Sequence, residues 1–103
     1  MNLIEHNIDA SNIIQKELVM IIAKSRTCSA CISLPGMLKA HISNLDLIPI
    51  YHIYVDEVDE FRGEHLIFSV PTVLIFSEGK ELLRESRYIN YSKVQRLIDL
   101  YTS

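Results

Sequence analysis

The sequence predicts an α/β fold in which a central mixed sheet of four to five strands has helices on both faces. Three runs of six residues, Leu18–Ala23, Ile50–Val55 and Thr72–Ser77, are rich in apolar and β-branched side chains, as buried strands are. Apolar residues at three- or four-residue steps between them indicate helices. Strands that alternate with helices predict parallel pairing. The chain has 103 residues and no repeat or linker, so one domain over residues 1–103 is expected.

The N-terminal part of the chain predicts a short strand and a helix before the first buried strand. Residues 3–6 form the short strand, at the sheet edge. Asp9 or Ser11 can cap a helix of residues 10–17, because short polar side chains accept hydrogen bonds from the free N–H groups at a helix start. The run Leu18–Ala23 follows and is apolar on both faces, so it belongs in the centre of the sheet.

A polar turn joins this strand to the longest predicted helix. Ser25–Cys31 has the small and polar residues of a strand-to-helix connection. Apolar residues at three- or four-residue steps then predict a helix over residues 29–44. Pro35 and Gly36 lie inside it and should kink it, because proline lacks a backbone donor and clashes with the preceding turn.

The next segment predicts a second strand and a short helix. Ile50–Val55 is rich in β-branched and aromatic side chains and forms the second buried strand. The acidic residues between Asp56 and Glu60 open a helix, since carboxylates are favourable near the positive end of the helix dipole.

The C-terminal segment predicts a hairpin and a last helix. Glu78-Gly79 turns the third buried strand into a polar return strand over residues 80–87, at the edge of the sheet. Asn90 caps the final helix. The predicted buried face of this helix consists of Val94, Leu97, Ile98 and Tyr101.

Composition and charge exclude several classes of protein. Thirteen acidic residues against ten basic ones give a net charge of −3, which disfavours nucleic acid as a partner. The longest apolar run has six residues, whereas a membrane-spanning helix needs about 20, so no membrane partner is expected. The N-terminal region is charged and has no long apolar stretch, so we expect no signal peptide and a cytosolic location.

The chain has two cysteines, Cys28 and Cys31, with two residues between them. A secreted miniprotein held together by disulfides would carry roughly four to eight cysteines. In a reducing cytosol a pair this close in sequence is not expected to be a structural crosslink. The pair is therefore either redox-active or half of a metal site.

The position of the pair at the start of a helix separates the roles of the two thiols. Free N–H groups and the helix dipole favour the thiolate form of Cys28. Cys31 lies one turn into the helix, close enough to form a disulfide with Cys28 and too buried to attack external targets. We therefore interpret Cys28 as the nucleophile and Cys31 as the residue that resolves a mixed disulfide.

Motifs along the chain resemble those of the thioredoxin family. TCSAC (27–31) stands at the family's CxxC position, Val70-Pro71-Thr72 matches its cis-proline tripeptide, and FSEGK (76–80) resembles its hairpin turn. Cys28 and Pro71 are 43 residues apart, which also fits, and the resemblance covers nearly all of the chain. It implies a thioredoxin-like fold, a cis bond before Pro71, and a Val70 backbone that hydrogen-bonds a target strand beside Cys28.

Several positions depart from the family's pattern. Thr27 replaces a tryptophan before the first cysteine, and Arg87 stands, within one residue, at the glycine that lines the family's substrate groove. Ile22 replaces a buried aspartate that helps to deprotonate the resolving thiol. His52 replaces the lysine near that acid, and its imidazole, which titrates near neutrality, is a possible proton acceptor for Cys31.

These residues predict a cytosolic thiol–disulfide oxidoreductase that acts on protein disulfides through Cys28 and Cys31. No metal or organic cofactor is expected beyond the redox-active pair. An external reductase or a low-molecular-weight thiol regenerates the dithiol. The residues expected to bind the substrate are Thr27, Val70, Pro71 and Arg87.

Two alternatives remain open from the sequence. One is a thioredoxin-fold adaptor whose groove holds a partner without turnover, since the family's acid and tryptophan are absent. The other is a metal-binding CxxC protein. Zinc requires four ligands, and the four histidines form no pair at zinc-finger spacing (His6, His41, His52 and His65).

Overall fold

The structure, a computed structural model, describes residues 1–102. Its strands are β1 (Asn2–Ile4), β2 (Val19–Lys24), β3 (Ile50–Tyr54), β4 (Thr72–Ser77) and β5 (Lys80–Ser86). Its helices are α1 (Asn7–Ile13), α2 (Ser29–His41), α3 (Asp59–Glu64) and α4 (Tyr91–Thr102), with a 3-10 turn at Leu45–Leu47. Within residues 1–102, no helix has the length and apolar character that a membrane span requires.

The strands form one five-stranded sheet in the order β1-β3-β2-β4-β5. β3 runs parallel to β1 and β2, whereas β4 is antiparallel to β2 and β5 is antiparallel to β4. The predicted α/β fold with a mixed sheet is therefore confirmed, and the edge strand forms at Asn2–Ile4. Parallel pairing is limited to β1, β2 and β3. The antiparallel direction of β4 could not be predicted, because an apolar run such as Thr72–Ser77 has the same composition in either direction.

Helices cover both faces of the sheet and enclose two apolar layers. Alternate residues of β2 divide between them: Ile21 lies in the layer under α1 and α3, and Ile22 in the layer under α2 and α4. Phe61 of α3 completes the first layer. The second layer contains the buried faces of both longer helices, namely Leu34, Leu38, Val94 and Ile98. Since α2 packs on this second layer, its N-terminus is held at the end of β2 where the cysteines lie.

Helix α1 differs from the prediction at both ends. It begins at Asn7 rather than residue 10, and its N-cap, His6, makes no side-chain capping bond. Neither predicted cap acts as one, since Asp9 lies within the first turn and the Ser11 hydroxyl donates to the Asn7 carbonyl.

The chain that follows α1 is hydrogen-bonded to the β4–β5 turn. The carbonyls of Ile14 and Lys16 accept hydrogen bonds from the N–H groups of Gly79 (2.7 Å) and Glu78 (2.8 Å). Beyond Ile14 the bonding is no longer α-helical, since the N–H groups of Gln15 and Lys16 donate to carbonyls three residues back, those of Asn12 (3.2 Å) and Ile13 (3.1 Å). The predicted extension of the helix to residue 17 is therefore wrong.

Helix α2 begins where predicted but ends three residues early, at His41 instead of residue 44. The chain becomes extended at Ile42, whose N–H closes the last turn on the Leu38 carbonyl (2.9 Å). The next N–H, of Ser43, donates to the Gln95 side chain of α4 (2.8 Å). The helix continues through Pro35 to His41.

The two remaining helices match the prediction in part. α3 begins at Asp59 rather than Asp56, because the preceding residues form a turn in which the Glu57 N–H donates to the Tyr54 carbonyl (2.9 Å). Asn90 caps α4 as predicted, accepting from the Lys93 N–H (3.2 Å). Tyr101, predicted on the buried face of α4, is 49 % exposed.

Candidate active site

Cys28 and Cys31 lie where β2 passes into α2. β2 ends at Lys24, and a turn follows in which the Cys28 N–H donates to the Ser25 carbonyl (3.3 Å). Cys28 is the N-cap of α2, with extended backbone angles (φ −87°, ψ 103°). The cysteines form a disulfide with Cα atoms 5.3 Å apart, so this is the oxidised form of the protein.

The helix start makes the two sulfur atoms unequal. The Cys31 N–H donates to the Cys28 Sγ over 3.2 Å, and a backbone donor so placed stabilises negative charge on that sulfur. Cys28 is half-buried, whereas Cys31 is only 3 % exposed. An external sulfur therefore has access to Cys28, and Cys31 is restricted to reaction with its neighbour.

Pro71 and Arg87 line one cavity of about 370 Å³ together with Ala30 and Ser33 of α2. The Val70–Pro71 peptide bond is cis, and the Arg87 N–H donates to the Pro71 carbonyl (2.8 Å). Arg87 has a positive φ of 63°, a conformation that glycine adopts more readily than arginine. Its exposed side chain therefore extends from a strained backbone position at the rim of this cavity.

Neither Val70 nor Thr27 lines this cavity. The Val70 side chain packs against the apolar layer under α1 and α3, and its backbone N–H and carbonyl form no hydrogen bond within residues 1–102. Those two groups are free to pair with an extended peptide. Thr27 is exposed next to Cys28, and its hydroxyl lies 3.5 Å from the Ser25 hydroxyl.

A second, smaller cavity of about 230 Å³ adjoins the disulfide itself. Besides both cysteines, it is lined by Lys24, Ser25, Arg26, Ile32 and Tyr54. Tyr54 reaches the cavity because β3 pairs with β2 in a register that sets Tyr54 opposite Lys24. The lining therefore combines polar and apolar side chains and contains two cations.

Arg26 is fixed on the surface of this cavity by two contacts. It forms a bidentate ion pair with Glu57, with N···O distances of 2.7 and 3.3 Å. Its guanidinium lies over the Tyr54 ring, 3.7 Å from the centroid. The hydrogen bond between the pair raises the pKa of Arg26 and lowers the pKa of Glu57.

A curated relative places the chain in a family. The chain is 30 % identical over 99 residues to the thioredoxin-like protein YdfQ of Bacillus subtilis (strain 168), an alignment that covers 91 % of this chain and 88 % of the relative. The chain belongs to the thioredoxin-like family. No family model matches its sequence.

Solved structures support the same thioredoxin-like fold. Plasmodium falciparum thioredoxin superposes with a TM-score of 0.81 at 22 % identity, covering 98 % of this chain and 99 % of the other. Fasciola hepatica thioredoxin gives a TM-score of 0.80 at 20 % identity, with the same coverage. The fold and the CxxC pair together support a thiol oxidoreductase in general terms.

His52, the possible proton acceptor in this thioredoxin-like protein, lies on β3. It lies opposite Ile22 in the β2–β3 register, on the sheet face that α2 covers. It is half-buried, and its Nδ1 is buried with no hydrogen-bond partner. Burial first, and then the positive charges of Lys24, the N-terminus and Arg26, lower the pKa of its imidazole. The ring is therefore neutral at pH 7, but it does not line the cavity that contains Cys31.

Ile22 is an apolar residue at the position where the family has a buried aspartate. It is 1 % exposed and lies in the layer between the sheet and α2.

Within residues 1–102, no group of three or more His, Cys, Asp or Glu side chains could hold a metal ion.

Sequence reasoning did not assign Lys24 and Tyr54 to the site of this thioredoxin-like protein, and it left open whether Arg26 is an ordinary surface charge or part of a positive rim around the site. Lys24 directly follows the apolar run Leu18–Ala23 and belongs to no motif. Tyr54 reaches the disulfide only through the β2–β3 register, which no local pattern specifies. Glu57, 31 residues from Arg26 in the chain, was assigned to a helix start and instead pairs with that arginine.

Proposed function

We propose that this protein is a cytosolic thiol–disulfide oxidoreductase that reduces disulfides in other proteins. The observation that carries the proposal is the asymmetry of the cysteine pair. Cys28 is accessible and receives a hydrogen bond at the start of α2, and Cys31 is buried and linked to it. This arrangement provides one sulfur for attack and one for resolution.

The reaction proceeds in two exchange steps from the reduced protein. The Cys28 thiolate attacks one sulfur of the target disulfide, and the other target sulfur leaves as a thiolate. Cys31 then loses its proton and attacks Cys28, which releases the second target sulfur as a thiolate and forms the Cys28–Cys31 disulfide. Two electrons pass to the target, and a reductase or a low-molecular-weight thiol returns them. No metal or organic cofactor is needed for these steps.

The cavity beside Pro71 is the proposed site for the target segment. The unpaired backbone groups of Val70 offer one donor and one acceptor to an extended chain, as an added strand requires. Thr27 presents no large side chain beside Cys28, which leaves the approach to the sulfur open. Arg87 adds a positive charge at the rim.

Insulin reduction tests the proposal against an adaptor that binds without turnover. With dithiothreitol as electron donor, wild type should accelerate precipitation of the insulin chains, and Cys28→Ser should return the rate to that of dithiothreitol alone. Equal rates for wild type and Cys28→Ser would favour the adaptor.

Arg87→Glu should slow the attack of reduced protein on an anionic disulfide. The expected decrease is about twofold to fivefold for 5,5′-dithiobis(2-nitrobenzoate), because one exposed charge contributes little in water. The decrease should shrink as salt is added. Stopped-flow absorbance at low and high salt measures it. A rate that does not depend on salt in either protein would place Arg87 outside the substrate path.

His52→Ala should slow the second exchange step and leave the first unchanged. The neutral imidazole can accept the Cys31 proton, but water can also do so, and we expect a decrease of at most about 10²-fold. Because the pKa of His52 is lowered, the ring stays neutral at pH 7 to 8 and becomes protonated only in more acidic solution. The difference between wild type and variant should therefore diminish only on the acidic side of the ordinary histidine pKa of about 6.5.

Single-turnover release of the reduced target, followed from about pH 8 down to about pH 5, measures this effect. His65→Ala is a matched control, since His65 is also half-buried with a lowered pKa but contacts Phe61 and Phe76 of the opposite layer. Equal release rates in wild type and His52→Ala would show that His52 has no part in proton transfer.

A further inference from the structure

The cavity beside the disulfide has a composition suited to one end of a small anion. Its volume of about 230 Å³ is below the roughly 300–1,000 Å³ of pockets that hold drug-sized ligands. Lys24 and Arg26 are its charged lining residues, and no carboxylate lines it. A protein segment needs a longer groove, so this space fits a fragment of a small molecule.

Lys24 provides the available positive charge in this cavity. Its Nζ lies over the Tyr54 ring, 4.9 Å from the centroid, and within residues 1–102 no carboxylate forms a salt bridge with it. Arg26 differs, because Glu57 already occupies its guanidinium and Asp56 lies near enough to act on its charge. A carboxylate that enters the cavity would therefore find its partner in Lys24.

The oxidised state of the pair indicates which reactant meets this cavity. A protein with a Cys28–Cys31 disulfide has already passed its electrons to a target, and the next molecule to react is the electron donor. Since Cys31 is buried, the donor's sulfur must attack Cys28, and both cysteines line the cavity. A donor whose carboxylate binds Lys24 would have its thiolate beside the disulfide.

Given the proposed function, we propose that this cavity is the binding site of the electron donor, a low-molecular-weight thiol with a carboxylate near its sulfur. The donor thiolate attacks the Cys28 Sγ, the Cys28–Cys31 bond breaks, and Cys31 leaves as a thiolate and takes a proton from water. A second donor thiolate attacks the donor's sulfur in the mixed disulfide, which releases the oxidised donor and the Cys28 thiolate. One protein disulfide and two thiols become one protein dithiol and one small disulfide.

The test compares 3-mercaptopropionate, which carries a carboxylate, with neutral 2-mercaptoethanol as reductants of the oxidised protein. The chain has no tryptophan, so reduction is followed by acid quench, alkylation and mass spectrometry. The ratio of the two rate constants, each per thiolate, cancels changes in the intrinsic reactivity of the disulfide. At an ionic strength of about 0.01 M, Lys24→Met should lower this ratio about threefold to fivefold, and the effect should vanish near 1 M.

Two further variants keep the test specific. Lys24→Arg retains the charge and should retain the preference. Lys80→Met makes the same chemical change at the opposite end of the sheet, where Lys80 pairs with Ser77 next to the β4–β5 turn, and should match wild type. An unchanged ratio in Lys24→Met, or an equal decrease in Lys80→Met, overturns the subsite. No reaction of wild type with either thiol would instead overturn the proposed exchange reaction.

Discussion

Replacing Cys31 with serine should convert the protein into a trap for its substrate. Cys28 keeps its accessible position and its backbone hydrogen bonds at the start of α2, so the first exchange step should proceed. The mixed disulfide then lacks its internal attacker. Well-oriented intramolecular groups reach effective concentrations of about 10⁵–10⁸ M, so release by millimolar external thiol should be at least about 10²-fold slower.

The covalent complex is measured by non-reducing electrophoresis and mass spectrometry after mixing with a protein disulfide. Cys28→Ser is the matched control, since it changes the same atom one helical turn earlier and leaves Cys31 buried at 3 % exposure. It should give no complex. A complex that forms in Cys28→Ser and not in Cys31→Ser would reverse the roles of the two cysteines.

The position of the cysteine pair at the start of a helix could be predicted because its signals are local. A small, polar turn between an apolar strand and an amphipathic segment specifies a helix start, and the cysteines fall on it. β4 also matches its prediction at both ends, because a run of six apolar or β-branched residues leaves little choice of conformation.

The features that sequence reasoning missed depend on contacts between distant segments. The segment that follows α1 is hydrogen-bonded to Glu78 and Gly79, more than sixty residues away in the sequence. The direction of β4 and the approach of Tyr54 to the disulfide follow from sheet register. Local periodicity contains no information about which strand pairs with which, so these parts of the site required the structure.

Ile22, His52 and Lys24 show how the interior beside the disulfide differs from the pattern of the family. All three lie on the sheet face that α2 covers. Ile22 places an apolar side chain at the position of the family's acid, and the neutral imidazole of His52 lies opposite it. Lys24 places a cation at the end of β2. Lys24 lines the same cavity as Cys31, and no carboxylate within residues 1–102 lines that cavity. Ile22 itself contributes packing between the sheet and α2.

Ile22→Ala should therefore lower stability strongly and leave the first exchange step intact. Ile22 is 1 % exposed between the sheet and α2, and truncating a buried isoleucine leaves a cavity that typically lowers the free energy of unfolding by about 2–5 kcal/mol. Ile8→Ala removes the same atoms from a side chain of α1 that is 73 % exposed, and should change stability by less than about 0.5 kcal/mol. Urea unfolding of both variants measures the difference, and a burst of mixed disulfide from folded Ile22→Ala measures the attack by Cys28. A small loss of stability would show that the site closes around alanine and that Ile22 adds little packing energy, and loss of the burst in folded protein would assign Ile22 a part in the chemistry.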